Sequence, residues 1–114
     1  MSYKIFREDM EEKGHHLTAT LLRLENSVIG FFDEKGSMKL GTLAVAIPKL
    51  GGQTCISSAL LGDRNIIITK ILAERFSNAF NCISLASTHL TDIKLGELGS
   101  ILLKLSQRII DKSS

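Results

Sequence analysis

The succession of strands and helices is clearest in residues 54–87, TCISSALLGDRNIIITKILAERFSNAFNCISLAS. The part up to Leu61 mixes apolar and small polar side chains and stops at a glycine, which predicts a strand. The apolar residues then recur every four positions, which predicts a helix with Asp63 at its N-cap. The recurring residues are Ile68, Leu72, Phe76 and Phe80. Residues 82–87 return to a strand pattern, so this stretch predicts a strand, a helix and a strand in succession.

Upstream of this stretch, the chain reads as strands joined by short turns. Residues 3–9, 17–25 and 28–33 are separated by turns too short for crossovers, which predicts an antiparallel meander. Residues 38–47 form a further strand that ends before Pro48. Its LAVAI segment is apolar at every position, so we expect it to be covered on both faces.

Downstream, a long helix is predicted from apolar residues that alternate in steps of three and four. The fold expected is therefore α+β: an antiparallel sheet of about six strands, meander first, with two helices in the C-terminal half packed on it. With 114 residues, we expect a single domain, 1–114. The apolar surface exceeds what one small layered domain needs, which suggests that part of it forms a dimer interface.

Composition and charge exclude several classes. Fourteen basic against twelve acidic residues give a net charge of +2, which argues against a nucleic-acid partner. No apolar run approaches the roughly 18 residues of a membrane span, and the N-terminus, MSYKIFREDMEEK, has no signal-peptide pattern. Two cysteines in such a chain are expected to be free thiols. We therefore expect a cytoplasmic protein with no membrane contact, the nucleus being a further possible compartment.

No pattern in the sequence indicates catalysis. His15 and His16 are adjacent on a strand and should point to opposite faces, so they cannot form one metal site. Cys55 and Cys82 lie in core-like strand contexts, where thiols are inert. We expect no enzyme activity, no metal and no cofactor, and a binding or assembly role; a small enzyme using either thiol with His89 is the lesser alternative.

Three motifs carry a family resemblance. They are LAVA at residues 43–46, SALLGD at 58–63 and LAER at 72–75. In order and spacing they resemble the small chaperones that assemble the eukaryotic 20S proteasome, over roughly residues 17–110. The resemblance implies a non-catalytic chaperone that pairs with a sister of the chaperone-three type, or with itself. It also implies binding to a proteasome alpha-type subunit, alpha-five, during early alpha-ring formation.

By position, we expect the dimer interface on the last helix, at Leu98, Ile101, Leu102, Leu105 and Ile109. Charged loop residues are the candidates for contact with the proteasome subunit: Lys35, Lys39 and Arg64. The alternative function is a dimeric scaffold or adaptor domain of the roadblock or profilin-like type, which also combines a small antiparallel sheet with helices.

Overall fold

The computed structural model describes residues 3–34, 37–48, 55–91 and 95–114, with the side chains of residues 95 and 96 left out. Six strands and two helices follow one another in these ranges. They are β1 (Lys4–Glu12), β2 (His15–Arg23), β3 (Ser27–Glu34), β4 (Thr42–Ile47), β5 (Ile56–Leu61), α1 (Ile66–Phe80), β6 (Ile83–His89) and α2 (Leu95–Ser113). The α+β prediction is confirmed.

The first three strands form the predicted meander. β1 and β2 pair antiparallel from Lys4↔Arg23 to Glu12↔His15, and β2 pairs antiparallel with β3. Between β1 and β2 the chain reverses over Lys13 and Gly14, with φ of 53° and 80°. Two positive φ values in a two-residue loop match the twist of a hairpin, and glycine adopts the second at no steric cost.

The order of the remaining strands departs from a simple meander. The sheet runs β1-β2-β3-β6-β4-β5, with β6 inserted between β3 and β4. β6 lies parallel to β3 and antiparallel to β4, so the sheet is mixed, with one parallel pair. The chain leaves β3, builds β4, β5 and α1, and only then returns to fill the centre of the sheet.

Helix α1 begins two residues later than the sequence suggested. Its N-cap is Asn65, in the left-handed conformation (φ 59°), and not Asp63. The Asn65 carbonyl accepts hydrogen bonds from the N–H (3.0 Å) and Oγ1 (2.6 Å) of Thr69. Because Gly62 also has a positive φ of 90°, residues 62–65 form a turn, and Asp63 belongs to that turn.

Both helices pack on the same face of the sheet. α1 lies over β4, β5 and β6, and α2 lies over β1 and β2. Arg75 joins the helices by donating to Ser106 Oγ on α2 at 3.0 Å. Arg23 of β2 donates to the Ser113 carbonyl at the end of α2 (2.8 Å), and its guanidinium lies 4.7 Å from the Phe80 ring centroid. The molecule therefore has two layers.

The core lies between these layers. The Phe32 ring from β3 stacks on Phe76 of α1 at 5.9 Å between centroids. The close approach of Phe76 requires Gly30, since a Cβ at residue 30 would overlap its ring. The apolar seam of α2 completes the core: Leu98, Ile101, Leu102, Leu105 and Ile109 are all 0% exposed.

The prediction that LAVAI is covered on both faces is wrong for the single chain. Ala44 and Ala46 are fully buried beneath α1. Leu43 and Val45 point to the opposite face and are only half-buried, and Ile47 is exposed. The reason is that both helices occupy one face, so the other face carries no helix among the described residues.

Candidate interaction surface

The face of the sheet opposite the helices, here called the open face, is apolar across five strands. The registers align one side chain from each strand in a row. This apolar row is Ile5, Leu22, Ile29, Leu85 and Val45. Except for Ile5, which is exposed, each side chain in the row is half-buried by its neighbours. A row of this kind in water is unusual for a sheet that remains uncovered.

More apolar side chains extend the open face on both sides of this row. Alternation along each strand places them on the same side of the sheet. They are Phe31, Leu43, Ile47, Ile56, Leu61 and Ile83. Four of these remain about half exposed: Ile47 50%, Ile56 56%, Leu61 49% and Ile83 46%.

The size of the open face suits a protein partner. Six strands spaced about 4.8 Å apart, each about 20 Å long, span an area of about 500 Å². A standard interface buries about 800 Å² on each partner, and soluble monomers rarely expose an apolar patch of more than a few hundred Å². The open face is therefore large enough to form the centre of a stable interface.

One end of the open face is polar. Thr18 donates to Asp9 Oδ1 at 2.7 Å, and His16 Nε2 lies 3.8 Å from the same oxygen. Asp33 and His89 are paired across β3 and β6 beside them. The change from apolar to polar along the strands gives the surface a direction, which would orient a partner.

Residues 37–41 lie against this polar end and bury Asp33. The Lys39 N–H donates to Asp33 Oδ2 at 3.0 Å, and the Gly41 N–H donates to Ser87 Oγ at 3.0 Å. Asp33 is 1% exposed, and its Oδ1 has no hydrogen-bond partner among the residues that the structure describes. Burial raises the pKa of this carboxyl; the Lys39 hydrogen bond and the positive charges of Arg7 and His89 act in the opposite direction.

The five α2 residues predicted as the dimer interface face the interior. Leu98, Ile101, Leu102, Leu105 and Ile109 pack beneath the sheet with no exposed surface. Their apolar character is accounted for within the single chain, so it gives no argument for a partner. Sequence spacing shows that a helix face is buried but not what buries it. Exposed apolar side chains of the sheet, such as Ile83 at 46%, do remain available to a partner.

Two of the predicted proteasome contacts lie near one another. Lys39 and Arg64 are both exposed. Arg64 lines a cleft of about 240 Å³ together with Gly41, two residues after Lys39. Its carbonyl accepts from Thr42 Oγ1 at 2.6 Å, and its Nη2 donates to the Thr91 carbonyl at 3.5 Å. Lys35 lies outside the described residues. The assignment of this contact stays a prediction.

The histidines lie on opposite faces, as predicted. His15 Nε2 is 3.2 Å from Glu97 Oε2 on α2, whereas His16 lies on the open face. Across the described ranges, no three His, Cys, Asp or Glu side chains come together as a possible metal site. Neither described helix is both long and apolar enough to cross a membrane.

The cysteine–histidine pairs of the enzyme alternative are not brought together. Cys82 precedes β6 and His89 ends it, and the seven extended steps from one to the other place them about 23 Å apart. Cys55 precedes Ile56, which pairs with Ile47 at the end of β4 that lies away from His89. Both thiols are free; Cys55 is buried, with its Sγ 3.7 Å from the Glu74 carbonyl.

A small α+β domain with both helices on one face of a mixed sheet, and a broad apolar surface on the other, is suited to association with other proteins. A solved structure of known context has a similar fold. A chain from the crystal structure of a novel chaperone complex for yeast 20S proteasome assembly superposes with a TM-score of 0.67. The two are 15% identical, and the match covers 99% of this chain and 93% of that one. At this identity the likeness shows a shared fold.

No family model matches the chain, and no curated protein is similar to it in sequence.

Proposed function

We propose that this chain is a non-catalytic chaperone of 20S proteasome assembly that works as a dimer. The observation that carries the proposal is the likeness to a chain of the yeast assembly-chaperone complex over nearly the full length of both. The LAVA, SALLGD and LAER motifs support the same class, and among its members they resemble proteasome assembly chaperone four most.

We infer that the dimer forms through the open face. The apolar row and the half-exposed residues around it would be covered by the sheet of a sister chaperone of the chaperone-three type, or of a second copy. Two sheets packed face to face lie about 10 Å apart, with their side chains interdigitated. Such a sandwich would cover the second face of LAVAI, which the helices leave open.

The client in this proposal is a proteasome alpha-type subunit, alpha-five, bound while the alpha-ring begins to form. Lys39 and Arg64 lie at one end of β4, outside the apolar part of the open face. They would remain accessible in the dimer and could steer an acidic client surface. This arrangement leaves the dimer and client surfaces separate, as a chaperone that acts in pairs requires.

The test is affinity purification of the tagged chain from cells of its source, read by mass spectrometry. We expect one small sister protein together with alpha-type proteasome subunits and few beta-type subunits. A double variant, Lys39→Glu with Arg64→Glu, should retain the sister and lose the alpha-type subunits. Recovery of a different stable complex with no proteasome subunits would contradict the proposal and favour the scaffold or adaptor alternative.

A further inference from the structure

The two edges of the sheet are built differently. β1 forms one edge, and six of its nine residues, KIFREDMEE, are charged. β5 forms the other edge, and its six residues, ISSALL, carry no charge and no proline. Charged side chains on an edge strand prevent pairing with other chains. The edge at β1 therefore carries this protection by charge, and the edge at β5 does not.

The uncharged edge is also exposed. Only Ser57 of β5 is half-buried, where its hydroxyl donates to Glu74 of α1; the other five residues are exposed. Leu60 is 53% exposed and is the extra residue at the irregularity in the pairing with β4, between Ala59 and Leu61. In the described part of the chain, no strand pairs with the outer side of β5. Its outward backbone N–H and C=O groups are available for a further strand.

An apolar shelf on α1 runs beside this edge. Ile67 is 76% exposed and Ile71 is 38% exposed. They lie four residues apart, and Glu74, which holds Ser57, is three residues further on, so all three share one side of the helix. That side faces the edge strand. Isoleucines with exposed surface thus lie beside the exposed edge strand.

We propose that the β5 edge binds an extended, uncharged segment of another polypeptide as a seventh strand, with alternate side chains resting on Ile67 and Ile71. The area of the β5 edge favours a single extended segment over a folded partner. A six-residue edge is about 20 Å long and one strand about 5 Å wide, so it covers about 100 Å². A folded partner needs about 800 Å², so a single extended segment fits and a second copy held by this edge alone does not. The proposal does not depend on the proposed function.

The experiment uses the full chain and a labelled probe peptide whose six-residue core alternates valine and threonine. A second peptide has glutamates in place of the threonines. We expect the uncharged probe to bind with a Kd of about 1 mM or tighter, and the charged one at least about tenfold more weakly. Hydrogen exchange should slow at the β5 amides when the uncharged probe is added. Equal binding of the two peptides, no binding of the uncharged probe, or unchanged exchange at β5 would overturn the proposal.

A matched pair of variants tests the site. Ala59 is exposed on β5, on the side of the sheet that faces α1. Ala59→Lys should weaken binding of the uncharged probe about tenfold, whereas Ala59→Ser should leave it unchanged, since both retain the backbone but only lysine adds charge. Ile83→Asp, on the open face, should leave probe binding intact and separates this edge from the proposed dimer surface. Equal binding by the two Ala59 variants would contradict the site.

Discussion

Leu105 and Ile83 distinguish the interior of this molecule from its proposed interface. Both would be replaced by aspartate, but Leu105 is 0% exposed beneath the sheet and Ile83 is 46% exposed on the open face. Truncation of a buried leucine to alanine costs about 2–5 kcal/mol, and a buried carboxylate without a partner adds about 3–5 kcal/mol. The total, about 5–10 kcal/mol, is comparable with the stability of a domain this size, about 6–17 kcal/mol at 0.05–0.15 kcal/mol per residue.

Leu105→Asp is therefore expected to unfold the chain or leave it marginally stable. Ile83→Asp loses about half of the 1.5–3 kcal/mol available from burying an isoleucine, which is about 1 kcal/mol. At about 4–8 °C per kcal/mol, its Tm should fall by less than about 10 °C. In the proposed dimer, however, the new carboxylate at residue 83 would be buried against an apolar sheet, so association should weaken by at least about 100-fold.

The assay pairs thermal unfolding, followed by circular dichroism, with sedimentation velocity of the chain alone and with its co-purified partner. Two results would contradict these expectations. If Leu105→Asp melts within a few degrees of the original chain, the seam of α2 is not the core. If Ile83→Asp associates as tightly as the original chain, the dimer does not use the open face.

Three further substitutions test the packing and the buried charge. Gly30→Ala places a Cβ against the Phe76 ring and should cost about 1–3 kcal/mol in urea unfolding; a neutral effect would show that the ring moves freely. Gly99 lies within α2, where an added Cβ meets nothing within 4 Å, so Gly99→Ala should stabilise the chain by about 1 kcal/mol in urea unfolding; no gain in stability would contradict a regular helix at this residue. Asp33→Asn tests the raised pKa of Asp33. In the original chain, at a pH between the ordinary and the raised pKa, the folded state binds more protons than the unfolded state. The stability of the original chain therefore falls as the pH rises through this window. Acidification from pH 7 into this window should make the original chain more stable relative to Asp33→Asn; the opposite trend would show that Arg7 and His89 outweigh burial.

Much of the fold could be predicted from periodicity. The strand, helix and strand of residues 54–87 appear in the structure as β5, α1 and β6. Periodicity reports which face of an element is buried, so it identified both helices and the alternating strands. It does not report which strands pair, and the parallel pairing of β6 with β3 leaves no local signal in either segment.

The candidate surface was only partly predictable for the same reason. The LAVAI segment is apolar on both of its faces in the sequence. In the structure one of these faces lies under α1, and the other is part of the apolar open face. The remaining members, such as Ile5, Leu22 and Ile29, come together only through the registers of separate strands. The seam of α2 is a strong local pattern and predicted an interface on the helix, but spacing alone does not distinguish a core-facing helix from a partner-facing one.

The position of β6 also governs when the chain can complete its fold. Ser27 and Ile83, the first paired residues of β3 and β6, are 56 positions apart in sequence. Until β6 has been synthesised, no strand joins the meander β1-β2-β3 to the hairpin β4-β5. The edge of β3 that will pair with β6 is then unpaired. Such non-local pairing slows folding relative to a local meander. During translation, a nascent chain that ends before residue 83 would consist of two half-sheets with apolar edges and surfaces exposed to aggregation.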